Sequence, residues 1–270
     1  MGFLIRMSKE HGIRLKKKFG QNFLRDTAII DNIVDNVVNN TSQDHTKSLF
    51  EIGCGDGVFT KLFLERIKLD RLWVFEIDPE WAEHVQSTVK NNALKVHQVN
   101  FLDIDLEETL QGYAPWSVYS SLPYHITFPI LHKLQKIRHL LSHGCFIMQE
   151  EVAQKILKKS GRGYGYPALF FQRYFTWELG VKIPPTAFVP APQVNSRVMY
   201  CTPIQNPVEI PDEAGFWKFI KICFHQPRRT LRNNISQSHY DITIIQEEIL
   251  NKRAQELSMA DLLSIWALLI

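Results

Sequence analysis

Five consecutive residues, Gly53-Cys54-Gly55-Asp56-Gly57, follow the short apolar run Leu49–Ile52 and precede a helical pattern. Glycines at such a junction let the backbone turn sharply and let a ligand approach the peptide groups, and the helix start offers free N–H groups. The spacing is G-x-G-x-G, tighter than the G-x-G-x-x-G that cradles a dinucleotide pyrophosphate, with Glu51 two residues before the first glycine. Such a turn suits a nucleoside cofactor without phosphates. Glycines in a β-to-α turn also serve geometry alone, so the next strand carries the decision. Glu76 ends the run RLWVFE, 23 residues after Gly53, where an acid in this topology accepts hydrogen bonds from ribose hydroxyls. Asp78 competes for the role, although Asp78-Pro79 reads as a helix cap followed by proline in the first turn. Turn, spacing and topology together point to S-adenosylmethionine.

A second constellation, Ser121-Leu122-Pro123-Tyr124-His125-Ile126, follows the fourth strand-like run of the series. Parallel sheets bind ligands at the carboxyl ends of their strands, so this loop is expected to face the cofactor. A rigid Leu-Pro-Tyr turn would present an aromatic face on which a planar base could stack. Tyr124 could equally be a turn residue packed on the core. Two basic clusters fit a nucleic-acid backbone: Lys16, Lys17 and Lys18 with Arg14, and Arg228, Arg229 and Arg232. Arg228 and Arg232, four apart, are expected on one helix face. Each cluster taken singly is also explained as a solvated face. Lys158, Lys159 and Arg162 beside GRGYG form a weaker third group.

The elements that must position these residues are visible as a rhythm. Asp26 can cap a helix whose apolar positions Ile29, Ile30, Ile33, Val34, Val37 and Val38 recur at helical spacing. Strand patterns at Leu49–Ile52, Arg71–Ile77, Lys95–Val99, Trp116–Tyr119 and Cys145–Met148 alternate with helical patterns at 57–68, 79–91, 127–141 and 151–158. That alternation predicts βαβ units and a parallel sheet. Trp177–Ile183 and Arg197–Thr202 read as two more strands joined by a proline-rich stretch, and TPIQNPVEIP reads as a linker. From Asp212 onward the pattern is helical throughout. The expected partition is therefore an α/β domain over 1–203 and a helical domain over 204–270.

Composition narrows the class. With 270 residues, 45% hydrophobic and 22% charged, the chain matches globular usage and excludes global disorder or a collagen-like fibre. The net charge of +3 says little, but the first 20 residues carry six basic residues against Glu10 alone. No apolar run approaches the roughly 18 residues that span a bilayer. MGFLIRM lacks a signal-peptide core, and Arg6 spoils a myristoylation pattern. Four cysteines, at 54, 145, 201 and 223, have no zinc-like or disulfide spacing. The expectation is a soluble, cytoplasmic, monomeric protein without a metal.

Several segments, in order, resemble the ribosomal RNA adenine N6-dimethyltransferases, particularly the bacterial small-subunit group. They are KKKFGQNFL at 16–24, EIGCGDG at 51–57, the acid of FEID, SLPYHI at 121–126, FIMQEEVAQKIL at 146–157, PPTAFVPAPQVNS at 184–196 and FHQPRRTLRNNI at 224–235. The resemblance runs from about residue 14 to the C-terminus. It implies an α/β, Rossmann-like S-adenosylmethionine-dependent fold with a small all-helical C-terminal domain. It also implies dimethylation of two adjacent adenines in a small-subunit ribosomal RNA hairpin, on the pre-ribosomal small subunit.

Residue by residue, the resemblance implies that Asn22 and Leu24 cover the methionine end of the cofactor, that Gly53 permits its close approach, and that Glu76 holds the ribose. Tyr124 would stack on the target adenine, with Phe188 over its other face, and the Leu122 carbonyl would hold one N–H. Two positions depart from the family pattern. Where the family has an Asp that accepts from the cofactor adenine, this chain has Asn100, which keeps an acceptor oxygen. Where the family has a catalytic Asn, this chain has Ser121, whose hydroxyl is shorter by two heavy atoms; His125 also replaces an Asn. These changes keep open a second reading, a catalytically weakened ribosome-assembly factor on the same fold. Methylation of a large-subunit adenine is a third, which FHQPRRTLRNNI disfavours.

Overall fold

The structure is a computed structural model and describes residues 12–16, 19–45, 47–236 and 238–270. In chain order it begins with β1 (Phe23–Leu24), α1 (Thr27–Thr41), β2 (Ser48–Ile52), α2 (Val58–Arg66), β3 (Arg71–Glu76) and α3 (Pro79–Thr88). Next come β4 (Leu94–Gln98), α4 (Leu106–Leu110), β5 (Trp116–Ser121), α5 (Thr127–Lys136), β6 (Leu141–Gln149), α6 (Glu150–Leu157) and α7 (Tyr166–Tyr174). The chain ends with β7 (Phe175–Ile183), β8 (Phe188–Val189), β9 (Ser196–Pro203), α8 (Glu213–Cys223), α9 (Leu231–Ile235), α10 (Glu247–Asn251) and α11 (Met259–Leu269).

Seven strands form one sheet in the order β4-β3-β2-β5-β6-β9-β7. The first five are parallel and β9 runs antiparallel to β6. β2, next to the middle, is buried at all five positions, as expected where helices cover both faces of a parallel sheet. On one face α1 and α2 supply Ile33, Val34, Val37 and Phe63, which pack with Leu49, Leu72, Tyr119 and Cys145 from the strands. Elsewhere in the sheet an aromatic cluster gathers Phe50, Phe75, Phe101 and Trp116, with centroid separations from Phe50 of 5.9–6.1 Å. Both caps anticipated from the sequence form: Asp26 accepts from the Ile29 amide, and Asp78 accepts from Glu80 with Pro79 in the first turn.

The differences from expectation have local causes. The helix expected over 127–141 stops at Lys136, because a 3₁₀ turn at Arg138–Leu140 hands the chain to β6, itself longer than Cys145–Met148. The region after Asp212 is not helical throughout: between α9 and α11 it consists largely of turns, two 3₁₀ segments and short α10, with a bridge from Thr230 to Arg253. Arg228 and Arg232 do not share a helix. Thr230 caps α9 by accepting from the Asn233 amide, which leaves Arg228 in the preceding turn.

By contacts the chain forms two compact units. One ends at Ala153 and resumes over Thr176–Pro203; the other is Gln154–Phe175 with Ile204–Ile270. A single boundary near 203 does not describe this excursion. Within the second unit, Arg173 and Tyr174 both donate to Glu213 (3.0 and 2.6 Å), and Phe170 packs on Trp217 with centroids 5.0 Å apart. These pairings join stretches about forty residues apart in sequence, which no local pattern signals.

His143 on β6 offers a test of the core. It is buried against α1, with Nε2 3.0 Å from the Asn36 side-chain oxygen, and burial lowers its pKa to about 4. Unfolding restores an ordinary imidazole, so the unfolded chain binds the extra proton first as pH falls. Stability should therefore decline between about pH 6.5 and 4 by up to about 1.4 kcal/mol per pH unit. Urea unfolding at several pH values should show this slope reduced in His143→Gln.

Candidate active site

The carboxyl ends of β2, β3, β4 and β5 open onto a cavity of about 310 Å³, at the lower end of small-molecule sites of about 300–1,000 Å³. Its lining includes Asn22, Gly53, Glu76, Asn100, Ser121, Leu122, Tyr124 and Phe188. Residues expected from separate segments thus meet in one place. Leu24 does not line it: it is buried in the core, its backbone paired with Phe188 across β1 and β8. Its contribution is to hold Phe188 in position.

The glycine turn works through two different demands. Gly53 has φ 75°, and a Cβ there would meet nothing within 4 Å, so it presents bare backbone to the cavity. Gly55, with φ 52°, would place a Cβ 2.5 Å from the Phe23 ring. Here glycine is needed for packing, since Phe23 belongs to the segment that closes over the turn and stacks edge-on to Trp81 at 5.2 Å.

That closing segment, residues 19–26, is fastened at two points. Arg25 donates to the buried Asp56 of the glycine turn at 2.5 Å. Upstream, Lys16 donates to Asp78 at 2.5 Å and lies 3.0 Å from Glu80, while the Gln21 amide reaches Asp78 at 2.8 Å. The bond to Asp78 holds the Lys16 ammonium above its usual pKa. Lys16, expected to face nucleic acid, is therefore engaged by the α3 cap, and Lys17 and Lys18 lie outside the described residues. No local pattern signals this fastening, because Asp56 and Asp78 lie 31 and 62 residues from their cationic partners.

Asp78 is thereby committed to the closing segment, whereas Glu76 lines the cavity. One Glu76 carboxylate oxygen accepts from the Asp78 amide at 2.8 Å and the other from Gly55 at 3.3 Å. The oxygen bonded to Gly55 also accepts from the Cys54 thiol at 3.6 Å, so it is the oxygen facing Asp78 that keeps a lone pair for a ligand hydroxyl. Burial pushes the Glu76 carboxyl above its ordinary pKa, so hydroxyl donors would favour its ionised form. Glu51 points elsewhere: fully buried, it accepts from Thr60 at 2.5 Å, and desolvation lifts its pKa to about 8.

At the end of β4, Asn100 caps a 3₁₀ turn, its oxygen accepting from Leu102 at 3.2 Å and its amide donating to Asp103 at 2.9 Å. One acceptor lone pair remains. Lys133 steadies this loop by donating to the Leu102 and Ile104 carbonyls at 2.7 and 2.5 Å. After β5, the Leu122 amide donates to Ile147 at 2.9 Å, so the backbone of the 121–124 loop is tied to β6. The Leu122 carbonyl and the Ser121 hydroxyl receive no hydrogen bond among the described residues. Tyr124 is half-buried, with its hydroxyl 2.7 Å from Ser196 Oγ, and His125 is exposed beside Gly20.

Arg228, Arg229 and Arg232 belong to the second unit and are not among the lining residues. Arg228 and Arg229 are exposed in a turn, and Arg232 pairs with Glu247. Lys158, Lys159 and Arg162 are exposed in the same unit. Among the described residues there is no cluster of metal-ligating side chains, and no helix is long and apolar enough to cross a membrane.

The profile of the family described as ribosomal RNA adenine dimethylase matches residues 12–270. The chain belongs to that family. It is 34% identical over 259 residues to the ribosomal RNA small subunit methyltransferase A of Chlorobium limicola, covering 96% of this chain and 94% of that one. The enzyme of the same name from Streptococcus thermophilus is also 34% identical, over 93% of this chain and 86% of that one. A crystal structure of a dimethyladenosine transferase from Plasmodium falciparum superposes with TM-score 0.74 at 18% identity, over 90% of this chain and 95% of that one. The fold is accordingly Rossmann-like, with a helical C-terminal part.

The two glycines should separate in a stability test. Gly53→Ala carries only the left-handed backbone cost of about 1–2 kcal/mol. Gly55→Ala adds overpacking against Phe23, about 1–3 kcal/mol more. Urea unfolding should therefore rank Gly55→Ala as the less stable variant.

Proposed function

We propose that this protein is an S-adenosylmethionine-dependent methyltransferase acting on N6 of two adjacent adenines in a small-subunit ribosomal RNA hairpin, during assembly of the subunit. The observation that carries the reading is convergence: the bare backbone of Gly53, the Glu76 carboxylate, two uncommitted acceptors at Ser121 and Leu122, and the rings of Tyr124 and Phe188 line one cavity. Family membership supplies the substrate class.

The lining fits the cofactor. Gly53 admits it closely, Glu76 retains acceptor capacity for ribose hydroxyls, Asn100 retains one acceptor for the base, and Asn22 lies in the segment that covers the opposite side. When bound, S-adenosylmethionine supplies an electrophilic methyl group on a sulfonium sulfur. The chain's task is to present an amine whose lone pair is delocalised into the adenine ring. Ser121 Oγ and the Leu122 carbonyl accept its N–H bonds and favour a pyramidal nitrogen. Tyr124 stacks on the base and Phe188 covers its other face. The methylated ammonium sheds its proton readily, so no strong base is needed.

The first unit carries this chemistry. The second carries RNA contacts through exposed Arg228 and Arg229, with Arg232 exchanging Glu247 for phosphate and with Lys17 and Lys18 contributing from the N-terminal side. The protein works as a monomer in the cytoplasm, where its substrate is assembled.

Methyl transfer from radiolabelled S-adenosylmethionine to under-methylated small subunits tests the reading. Native protein should transfer, Tyr124→Ala should transfer far more slowly, and Ser121→Asn should raise the single-turnover rate. The gain is bounded by about 10²–10³-fold, the cost of a missing positioned dipole. No transfer by native protein, with subunit binding intact, would contradict the proposal and favour a role in assembly alone.

A further inference from the structure

Tyr124 and Ser196 stand in two separate segments of the chain, and their hydroxyls meet 2.7 Å apart across 72 residues. Ser196 is fully buried at the start of β9, paired with Gln149 of β6. Its neighbours fix that point from both sides. The Glu150 amide donates to the Asn195 carbonyl at 3.0 Å. Arg197 makes a two-pronged contact with the Glu150 carboxylate at 2.8 and 3.0 Å and donates to the Gly180 carbonyl at 3.1 Å. The Ser196 hydroxyl thus projects from a rigid junction of β6, β7, β9 and α6.

At the other end of the ring, the backbone is held by the Leu122 amide on Ile147, and Thr127 donates to the Pro123 carbonyl at 3.3 Å. A tyrosine ring has two side-chain torsions. With the backbone tied to β6 and the hydroxyl tied to β9, both are determined. A ring fixed before substrate arrives loses no rotational freedom on stacking, and a stacked base must be aligned closely for its amine to meet the methyl group.

We infer that Ser196 is a positioning residue that orients Tyr124 for stacking on the target adenine. The inference rests on the methyltransferase reading above. It makes the Ser196 hydroxyl a device for aligning the base, separate from cofactor binding and from holding the RNA.

The test deletes the bond from each end in the full-length protein: Ser196→Ala, Tyr124→Phe and the double variant, with Ser196→Thr as the conservative control. Under-methylated small subunits and S-adenosylmethionine are the substrates, and calorimetry with S-adenosylhomocysteine reports the cofactor site. Each single variant should lower the single-turnover rate about tenfold, with little change in the affinity for either substrate. The double variant should be no slower than the slower single one, since both remove the same bond, and Ser196→Thr should restore most of the rate. Native rates in Tyr124→Phe, or losses that multiply in the double variant, would overturn the inference while transfer by native protein upholds the function. Absence of transfer by native protein would overturn the functional reading, and the inference with it.

Discussion

The turn Gly53–Gly57 is the constraint around which the first unit is organised. A backbone bent through left-handed conformations at Gly53 and Gly55 leaves no side chain between the end of β2 and the cavity. Three other parts of the chain then depend on it. Phe23 packs where a Cβ on Gly55 would stand, Arg25 pairs with Asp56, and Glu76 accepts from the Gly55 amide. Closure of the N-terminal segment and placement of the Glu76 carboxylate at the cavity are consequences of one turn. Three carboxylates, Glu51, Asp56 and Glu76, are buried around it. Each is satisfied separately, by Thr60, by Arg25 and by backbone amides respectively. With its pKa lifted to about 8 by desolvation, Glu51 is mostly protonated at neutral pH, which limits the like charge gathered at the turn.

The side of the cavity lined by Ser121, Leu122 and Tyr124 follows different logic. Ser121 and Leu122 offer acceptors because the Ser121 hydroxyl and the Leu122 carbonyl receive no hydrogen bond among the described residues, while the Leu122 amide is tied to β6 and the strand before it is fixed by Ser120 donating to the Ile52 carbonyl at 2.7 Å. A serine where the family motif has an amide shortens the reach toward the base but leaves the acceptor free. The surrounding supports, the Tyr124–Ser196 link and the β1–β8 pair that includes Phe188, keep the proposed base-binding surface defined despite that shorter arm.

Much of this was legible in sequence because it is local. The alternation of apolar runs and helical periods foretells the parallel sheet, and Gly53 and Glu76 announce themselves by position at strand ends. Asp78 reads as a cap before any contact is known. What escaped is long-range. Lys16 reads as an RNA contact until its ammonium is found on Asp78. Leu24 reads as a cofactor contact, yet it packs in the core as the partner of Phe188. Two-residue strands such as β1 and β8 carry no periodicity, and the union of Gln154–Phe175 with the C-terminal helices depends on aromatic and charged partners far along the chain. Arg228 and Arg232 show a local failure: four-residue spacing implies one helix face only where a helix exists, and Thr230 starts α9 after Arg228.

The central claim is that the glycine turn and the segment fastened over it enclose the cofactor together. Amide hydrogen exchange with and without S-adenosylhomocysteine tests this most directly. The account predicts slowed exchange at three places at once: Gly53–Gly57, Glu76–Asp78 and the closing segment over residues 20–23. Protection of the turn with none in the closing segment, or protection confined to the helical second unit, would contradict it.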